Sequence, residues 1–271
     1  MALLKRLWRF LPKELRYFIF KIYRKIRSQL QILTHKGDKY QCPFCNYNAR
    51  DLFVIGRTSK VLKEKHVIGG MRAASGCYKC RSSQRERLIY TYLKEKLDIH
   101  NSGNVNNVLH IAPEPNLTRK LLDIEFENYV CGDLFTEGYS YPNHVENMNV
   151  TSIPYPDESF DLIMCNHVLE HVPEDQIAMN ELRRVLNKEG IAILQVPISK
   201  VLGETFEDFS VTNPSERKQV FGQYDHVRIY GQDYVSRLEN SGFKVKRVNI
   251  SSEYPKYGLN VEEDIFVCSR L

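Results

Sequence analysis

The chain has 271 residues, 42% apolar and 26% charged, the balance of an ordinary globular protein with room for one large domain or two smaller ones. The net charge of +5 is uneven: residues 1–27 hold nine basic side chains against one acid, Glu14, a surplus of +8 that leaves the remainder at −3. That distribution excludes reading the basic balance as a nucleic-acid groove across the whole protein. The basic arm carries apolar residues at helical spacing, Leu4, Leu7, Trp8, Leu11, Leu15, Phe18, Ile19, Ile22 and Ile26, with Lys and Arg between them and Pro12 at a helix start or kink. Charges interrupt every apolar run, so neither a membrane span nor a secretory signal fits. The expectation is a basic amphipathic helix lying in an anionic membrane surface, with the protein cytoplasmic and peripheral on the inner face. A helix docked on its own protein or a partner, or an organellar transit peptide, are the other readings of this arm.

Four of the seven cysteines form two C-x-x-C pairs, Cys42/Cys45 and Cys77/Cys80. Paired thiols without a secretory signal point to a reducing compartment and a metal. Four sulfurs in two tight turns match tetrahedral structural Zn2+, held in a zinc-ribbon-like module with no open coordination position. Cys131, Cys165 and Cys268 lie in strand-like runs and read as buried free thiols, and His66 as a surface residue. A helix capped by Ser82 or Ser83 should run to about Leu97 on an apolar face of Leu88, Ile89, Tyr92, Leu93 and Leu97. Arg81, Arg85 and Arg87 on it read as a solvated charged face.

Strands are expected at 108–111, 129–133, 160–165, 191–197, 243–249 and 265–269. A crossover helix begins at Leu117, another runs from about Glu174 to Asn187 and is stopped by Gly190, and a third runs from Asp233 to Asn240 and ends at Gly242. The apolar run 160–165 exits through Asn166-His167-Val168-Leu169-Glu170-His171, polar groups at the carboxyl edge where open α/β sheets bind ligands. Residues 199–228 read as a long inserted loop, of the kind that carries function in compact domains. It ends in Asp225-His226-Val227-Arg228-Ile229-Tyr230, an acid, an imidazole, a guanidinium and a phenol within six residues.

The stretch 149–174, NVTSIPYPDESFDLIMCNHVLEHVPE, resembles the D-x-x-x-L-P-F-x-D-x-S-F-D-x-V-x-x-x-x-V-L-E-H segment of class I S-adenosylmethionine-dependent methyltransferases of type 11. Val108-Leu109-His110-Ile111-Ala112-Pro113-Glu114 resembles the L-H-x-A-P-E first motif of a bacterial subgroup with a cysteine-rich N-terminus, and 225–230 resembles that subgroup's D-H-x-R-x-Y loop. The resemblance implies a Rossmann-like seven-stranded sheet with helices on both faces and S-adenosyl-L-methionine as cofactor. Divisions follow at 1–36 (arm), 37–82 (cysteine module), 83–103 (linker helix) and 104–271 (methyltransferase domain).

It further implies a cofactor site built from His110, Ala112, Pro113, Glu114, Asp133, Asn149, Val150 and Asn166. Asp133, at the end of the second strand, would take the ribose hydroxyls, and Glu114 the ammonium of the cofactor's methionine part. Where the family has the acid and the three glycines of D-x-G-x-G-x-G, this chain has His110, then Ala112, Glu114 and Asn116, and Asn149 stands where the family often has Asp. Methyl transfer to a hydroxyl needs a base, for which His167, His171 and His226 are the candidates, His226 first and His171 as its competitor; Arg228 and Tyr230 are expected to bind substrate. The [DN]-P-P-[YF] box of many nucleic-acid amino-methylating relatives is missing from the strand exit. The leading expectation is O-methylation of a glycan or other small or lipid-linked metabolite. The alternatives are an RNA methyltransferase that holds RNA through the zinc module, and a degenerate fold that binds cofactor or partner without catalysis.

Overall fold

The computed structural model describes residues 12–57, 59–69, 72–101, 103 and 105–271. The first part of the arm, with Leu4, Leu7, Trp8 and Leu11, lies outside the described residues. The chain then runs α1 (Lys13–Thr34), β1 (Lys36–Gln41), β2 (Asn48–Ala49), β3 (Phe53–Ile55), α2 (Lys60–Glu64), β4 (Val67–Ile68), β5 (Ala73–Gly76) and α3 (Gln84–Glu95). It continues with β6 (Asn107–Ile111), α4 (Pro115–Leu121), β7 (Asn128–Asp133), β8 (Val145–Asn147), β9 (Phe160–Asn166), a 3-10 turn (Leu169–His171) and α5 (Asp175–Val185). After these come β10 (Leu186–Gln195), β11 (Ile198–Ser199), β12 (Phe206–Glu207), α6 (Pro214–Val220), β13 (Arg228–Ile229), α7 (Tyr234–Asn240), β14 (Phe243–Val248) and β15 (Ile265–Arg270).

Seven strands form the central sheet in the order β14-β15-β10-β9-β6-β7-β8. The five from β8 to β10 are parallel, and β15 runs antiparallel to both of its neighbours. Side chains alternate across the pleat and both faces are buried. Leu109, Ile111, Ile163, Cys165, Leu194 and Phe266 meet α5 and α7 on one face. Val108, Leu162, Met164, Ile193 and Ile265 meet α3 and α4 on the other. A parallel sheet covered on both sides needs apolar residues at every strand position, which is why 160–165 reads as a continuous run. Asp161, the one acid in it, accepts the backbone N–H groups of Asn106 and Asn107, each at 2.9 Å, and so ties β9 to the entry of β6.

Cys131, Cys165 and Cys268 are buried free thiols. The cysteine turns share a core with the α3 face: Phe44 stacks on Tyr90 with ring centroids 4.5 Å apart. Helix α3 is thus one of the layers covering the sheet. Ser83 caps it in a reciprocal box with Glu86. Arg87 departs from the solvated face expected of it. It is buried and donates to the carbonyls of Ser75, Ser82, Tyr257 and Gly258, where the cysteine module meets a loop near the C-terminus.

The segment expected as a long inserted loop carries its own elements. Beside it, β11 pairs with β4, and Leu62, Val67, Val211, Phe221 and Ile229 form a small core joining it to the N-terminal part. Gly190 does not stop α5. The helix ends at Val185, Leu186 is already extended, and Gly190 sits in β10 where a Cβ would press on Leu186. Gly242, at φ +82° just past α7, does close its helix. None of the described helices is long and apolar enough to cross a membrane.

Candidate active site

A cleft of about 690 Å³ opens at the carboxyl ends of β6, β7, β8 and β9. That is a normal size for a small-ligand site. Ile111, Met148 and Val150 line it with apolar surface, Tyr139 and Tyr141 add aromatic surface, and Asp133 stands at the end of β7. Burial raises the Asp133 carboxyl above its ordinary range, against the pull of the Leu134 backbone N–H. Ala112 has φ +48°, a left-handed conformation that glycine adopts freely and alanine at a cost of about 1–2 kcal/mol. The backbone therefore makes the turn expected of a glycine motif without the glycine.

Of the eight residues expected to bind cofactor, Ala112, Asp133, Asn149 and Val150 line this cleft. Asn149 Oδ1 already accepts from Thr151 N and Oγ1, at 3.0 and 2.9 Å, which leaves its Nδ2 for a ligand. His110 does not reach the cleft. It is fully buried and bridges Tyr129 OH at 2.8 Å and Glu114 Oε2 at 2.7 Å, so it positions Glu114. Burial alone would raise Glu114, but the hydrogen bond and charge of His110 outweigh it and hold the carboxyl below its usual range. Glu114 and Asn166 line a small internal space with Arg85, His167, Gln195 and Glu263, and His167 borders both this space and the cleft. Pro113 is among the lining residues of neither. The cleft and its donors suit an adenosine ligand: a carboxylate for paired hydroxyls, apolar surface for a base, and a tight turn for close backbone approach.

The expected catalytic residues fall at the rim, in altered roles. His171 faces the cleft, and its Nδ1 lies 3.5 Å from Asp225 Oδ2. His226 is 3% exposed and stands behind His171, edge to face, with ring centroids 4.6 Å apart. Burial pushes its imidazole down to about 4. The imidazoles that line the cleft are His167 and His171, not His226, and the leading expectation for His226 is corrected on that ground. Glu170, which the sequence reading passed over, is 2% exposed beside them. Burial alone would raise its carboxyl, yet the adjacent imidazoles, His167 first, bring it to about 2.

Arg228 and Tyr230 are also corrected. Both are buried. The Arg228 guanidinium donates to Glu207 Oε2 at 2.8 Å and to the carbonyls of Leu169, Val172 and Pro173 at 2.9, 2.6 and 2.8 Å. Tyr230 OH donates to Asp175 Oδ2 at 2.7 Å. The pair satisfies the turn that carries Glu170 and His171 and contributes no surface to the cleft. The part of this loop that lines the cleft is Tyr224 and Asp225.

Residues 106–194, a third of the chain, match the family described as "Methyltransferase domain". This chain carries a methyltransferase domain. A 65-residue stretch is 40% identical to the protein MJ0638 of Methanocaldococcus jannaschii, covering 23% of this chain and 28% of that one, so the chain spans about a quarter of that relative's length. Similar solved folds include a SAM-dependent methyltransferase from Archaeoglobus fulgidus, 15% identical, covering 71% of this chain and 96% of that one with TM-score 0.42. Another is the 1,6-didemethyltoxoflavin-N1-methyltransferase of Burkholderia thailandensis, 13% identical, covering 69% and 87% with TM-score 0.42.

Away from the cleft, the chain gathers its four paired cysteines into one cluster. The two turns are built alike. Asn46 and Arg81, each just after its pair, are left-handed at φ 53° and 66° and donate back to the carbonyls of Cys42 and Cys77. Cys42 N and Cys77 N in turn donate to Tyr47 O and Ser82 O. This curl turns both sulfurs of each pair inward. Cys42 Sγ lies 3.5 Å from Cys80 Sγ, and Cys45 Sγ 3.7 Å from Cys77 Sγ. Four thiolates at ~2.3 Å from one tetrahedral ion stand ~3.8 Å apart, so the donor set fits Zn2+. Ser82 Oγ lies 3.1 Å from Cys80 Sγ and 3.4 Å from Cys42 Sγ, a polar group behind the sulfurs.

Proposed function

We propose that the chain is an S-adenosylmethionine-dependent methyltransferase that methylates a hydroxyl of a small or lipid-linked glycan acceptor. The observation that carries this reading is the juxtaposition, at one sheet edge, of a carboxylate at the end of the second strand with an acid–imidazole rim. Asp133 is on one side of the cleft, and His171 with Asp225 on the other. Asp133 would hold the ribose hydroxyls, Asn149 Nδ2 and the apolar surface of Val150 the adenine, and Ala112 the close backbone approach. Glu114, aimed by His110, is assigned to the ammonium end. The cofactor, when bound, supplies a methyl group on a sulfonium. The protein's own contribution is to orient the acceptor and receive its proton at the rim. His171 is the imidazole placed for that, with Asp225 orienting its ring.

Zinc in the four-cysteine cluster is part of the same proposal, as a structural ion. The acceptor class is argued from α1. No residue of this helix is buried, and Leu15, Phe18, Ile19, Ile22, Ile26, Leu30 and Leu33 recur along it at a spacing that puts them on one stripe. A basic helix with such a stripe suits an anionic membrane surface, where lipid-linked acceptors reside. Liposome flotation of the full chain against a form lacking residues 1–30 tests this. Equal recovery of both on anionic vesicles removes it.

The test of function is incubation of the protein with labelled S-adenosylmethionine and fractionated cell extract. Label is expected in a glycolipid or saccharide fraction. His171→Ala should lower turnover by about 10²–10⁴-fold, the usual contribution of a general base. Label in a ribonuclease-sensitive fraction would replace this acceptor class with RNA, and the absence of any transfer would reject the enzymatic reading.

A further inference from the structure

We infer that Glu170, His171 and His226 form a second metal site at the rim of the cleft, one that takes a divalent first-row transition ion such as Zn2+. One donor atom from each of the three lies within 4.8 Å of the other two. Two of the three side chains also carry a buried polar atom left without a hydrogen-bond partner among the described residues, Glu170 Oε2 and His226 Nε2. Their side chains are 2% and 3% exposed, so water does not satisfy them freely. Burying such an atom without a partner destabilises the fold. A shared cation removes both costs together and neutralises a buried carboxylate that no Arg or Lys side chain contacts among the described hydrogen bonds.

The local architecture supports coordination rather than accident. Glu170 and His171 are adjacent on the 3-10 turn, and Arg228 clamps that turn by the carbonyls of Leu169, Val172 and Pro173. His226 is brought up by the neighbouring segment, where Val227 N donates to Glu170 O at 3.0 Å. Asp225 Oδ2 sits 3.5 Å from His171 Nδ1, the place from which a carboxylate orients a ligating imidazole. Asp225 Oδ1 is itself buried and unpartnered among the described residues.

Two imidazoles and a carboxylate favour zinc, iron or manganese over magnesium or calcium, which prefer all-oxygen shells. At ~2.0–2.1 Å bond lengths, tetrahedral donors stand ~3.3 Å apart, so binding draws the three together by up to ~1.5 Å. Three protein ligands leave a coordination position free, and because His171 lines the cleft that position opens toward the acceptor side. As a ligand His171 would not also take the acceptor's proton: an acceptor oxygen at the free position would be polarised by the ion and would release its proton to solvent, with His171 serving as the base only in the metal-free form. That use rests on the methyltransferase reading above, whereas occupancy of the site does not.

The experiment is equilibrium dialysis of the chelator-stripped, reduced full chain against Zn2+ alone, comparing wild type with His171→Ala and Glu170→Gln. His171 is partly exposed, so its truncation leaves the core packed even if the Glu170 variant fails to fold. Wild type is expected to bind one equivalent more than His171→Ala, whatever the four-cysteine cluster takes. Asp225→Asn should weaken the extra equivalent by about 10–100-fold, the usual effect of removing a carboxylate behind a ligand. With Co2+ in place of Zn2+, the difference spectrum between wild type and His171→Ala should show nitrogen- and oxygen-ligated cobalt without a thiolate band. Equal stoichiometry in wild type and His171→Ala overturns the inference, as does a difference spectrum carrying the thiolate band. Methyl transfer assayed on the same preparations separates the two claims. Transfer without the extra equivalent sinks only the metal site, and the extra equivalent without transfer sinks only the enzymatic reading.

Discussion

Replacing Arg228 distinguishes a structural clamp from a substrate-binding residue. The guanidinium is buried and makes four close hydrogen bonds, one to Glu207 and three to the carbonyls of the turn 169–173. Hydrogen bonds from charged groups contribute ~1.5–3 kcal/mol each and are not additive. Removing one partner of a buried ion pair costs about 3–5 kcal/mol, because the remaining groups are left without partners. Arg228→Ala should therefore lower the unfolding free energy by about 3–5 kcal/mol, a third or more of what a domain of this kind has in hand. Arg228→Lys keeps the charge but not the planar fork, so at least one carbonyl of the turn loses its donor, at a cost of ~1.5–3 kcal/mol. Urea unfolding followed by far-ultraviolet circular dichroism measures both. If Arg228→Ala stays within ~0.5 kcal/mol of wild type, as a typical surface change does, the clamp is refuted and a ligand-facing role returns.

Glu263 gives a pH-dependent case. Burial pushes its carboxyl from 4.5 up to about 7, against the pull of Arg85, and its Oε2 has no hydrogen-bond partner among the described residues. The folded state therefore holds this proton more tightly than the unfolded chain. The associated stability is complete below pH ~4.5 and is lost as pH rises through ~7, about 3 kcal/mol for that shift. Glu263→Gln should match wild type in denaturant unfolding at about pH 4 and exceed it by about 3 kcal/mol at about pH 8; an equal difference at both values would show that the carboxylate is ionised and paired throughout. Cys77→Ser should abolish zinc retention at the cysteine cluster and lower the melting temperature, since metal binding free energy, ~10–16 kcal/mol in small zinc modules, is there folding free energy. Metal analysis and calorimetry check it, and an unchanged melting profile in a zinc-free variant would rule out a structural ion.

The parts of this molecule legible in the sequence are those whose physics is local. The run 160–165 is apolar but for Asp161 because β9 is covered on both faces, and each C-x-x-C pair carries its own turn in the next few residues. Asp133 was legible because strand order alone brings the end of the second strand to the cleft. What escaped was decided by partners distant in the chain. Arg87 and Arg228 looked like a solvated charge and a ligand clamp, since nothing near them in sequence reveals the carbonyls of 75, 82, 257 and 258, or of 169, 172 and 173, to which they donate. His226 and His171 were indistinguishable as bases until the fold set one behind the other. Glu170 was passed over beside the more conspicuous histidine, and Glu263 sits in a run of acids that reads as surface. The insertion looked like a free loop because its strand partner, β4, lies over a hundred residues upstream.

The central claim is that this sheet edge binds S-adenosylmethionine through Asp133. Calorimetric titration of the full chain and of Asp133→Ala with S-adenosylmethionine tests it most directly. The account requires one saturable site per chain in the wild type, weakened in Asp133→Ala by about 1–3 kcal/mol, the cost of leaving a hydroxyl pair without its acceptor. An absence of binding to the wild-type protein, or equal affinity in the two proteins, would contradict it.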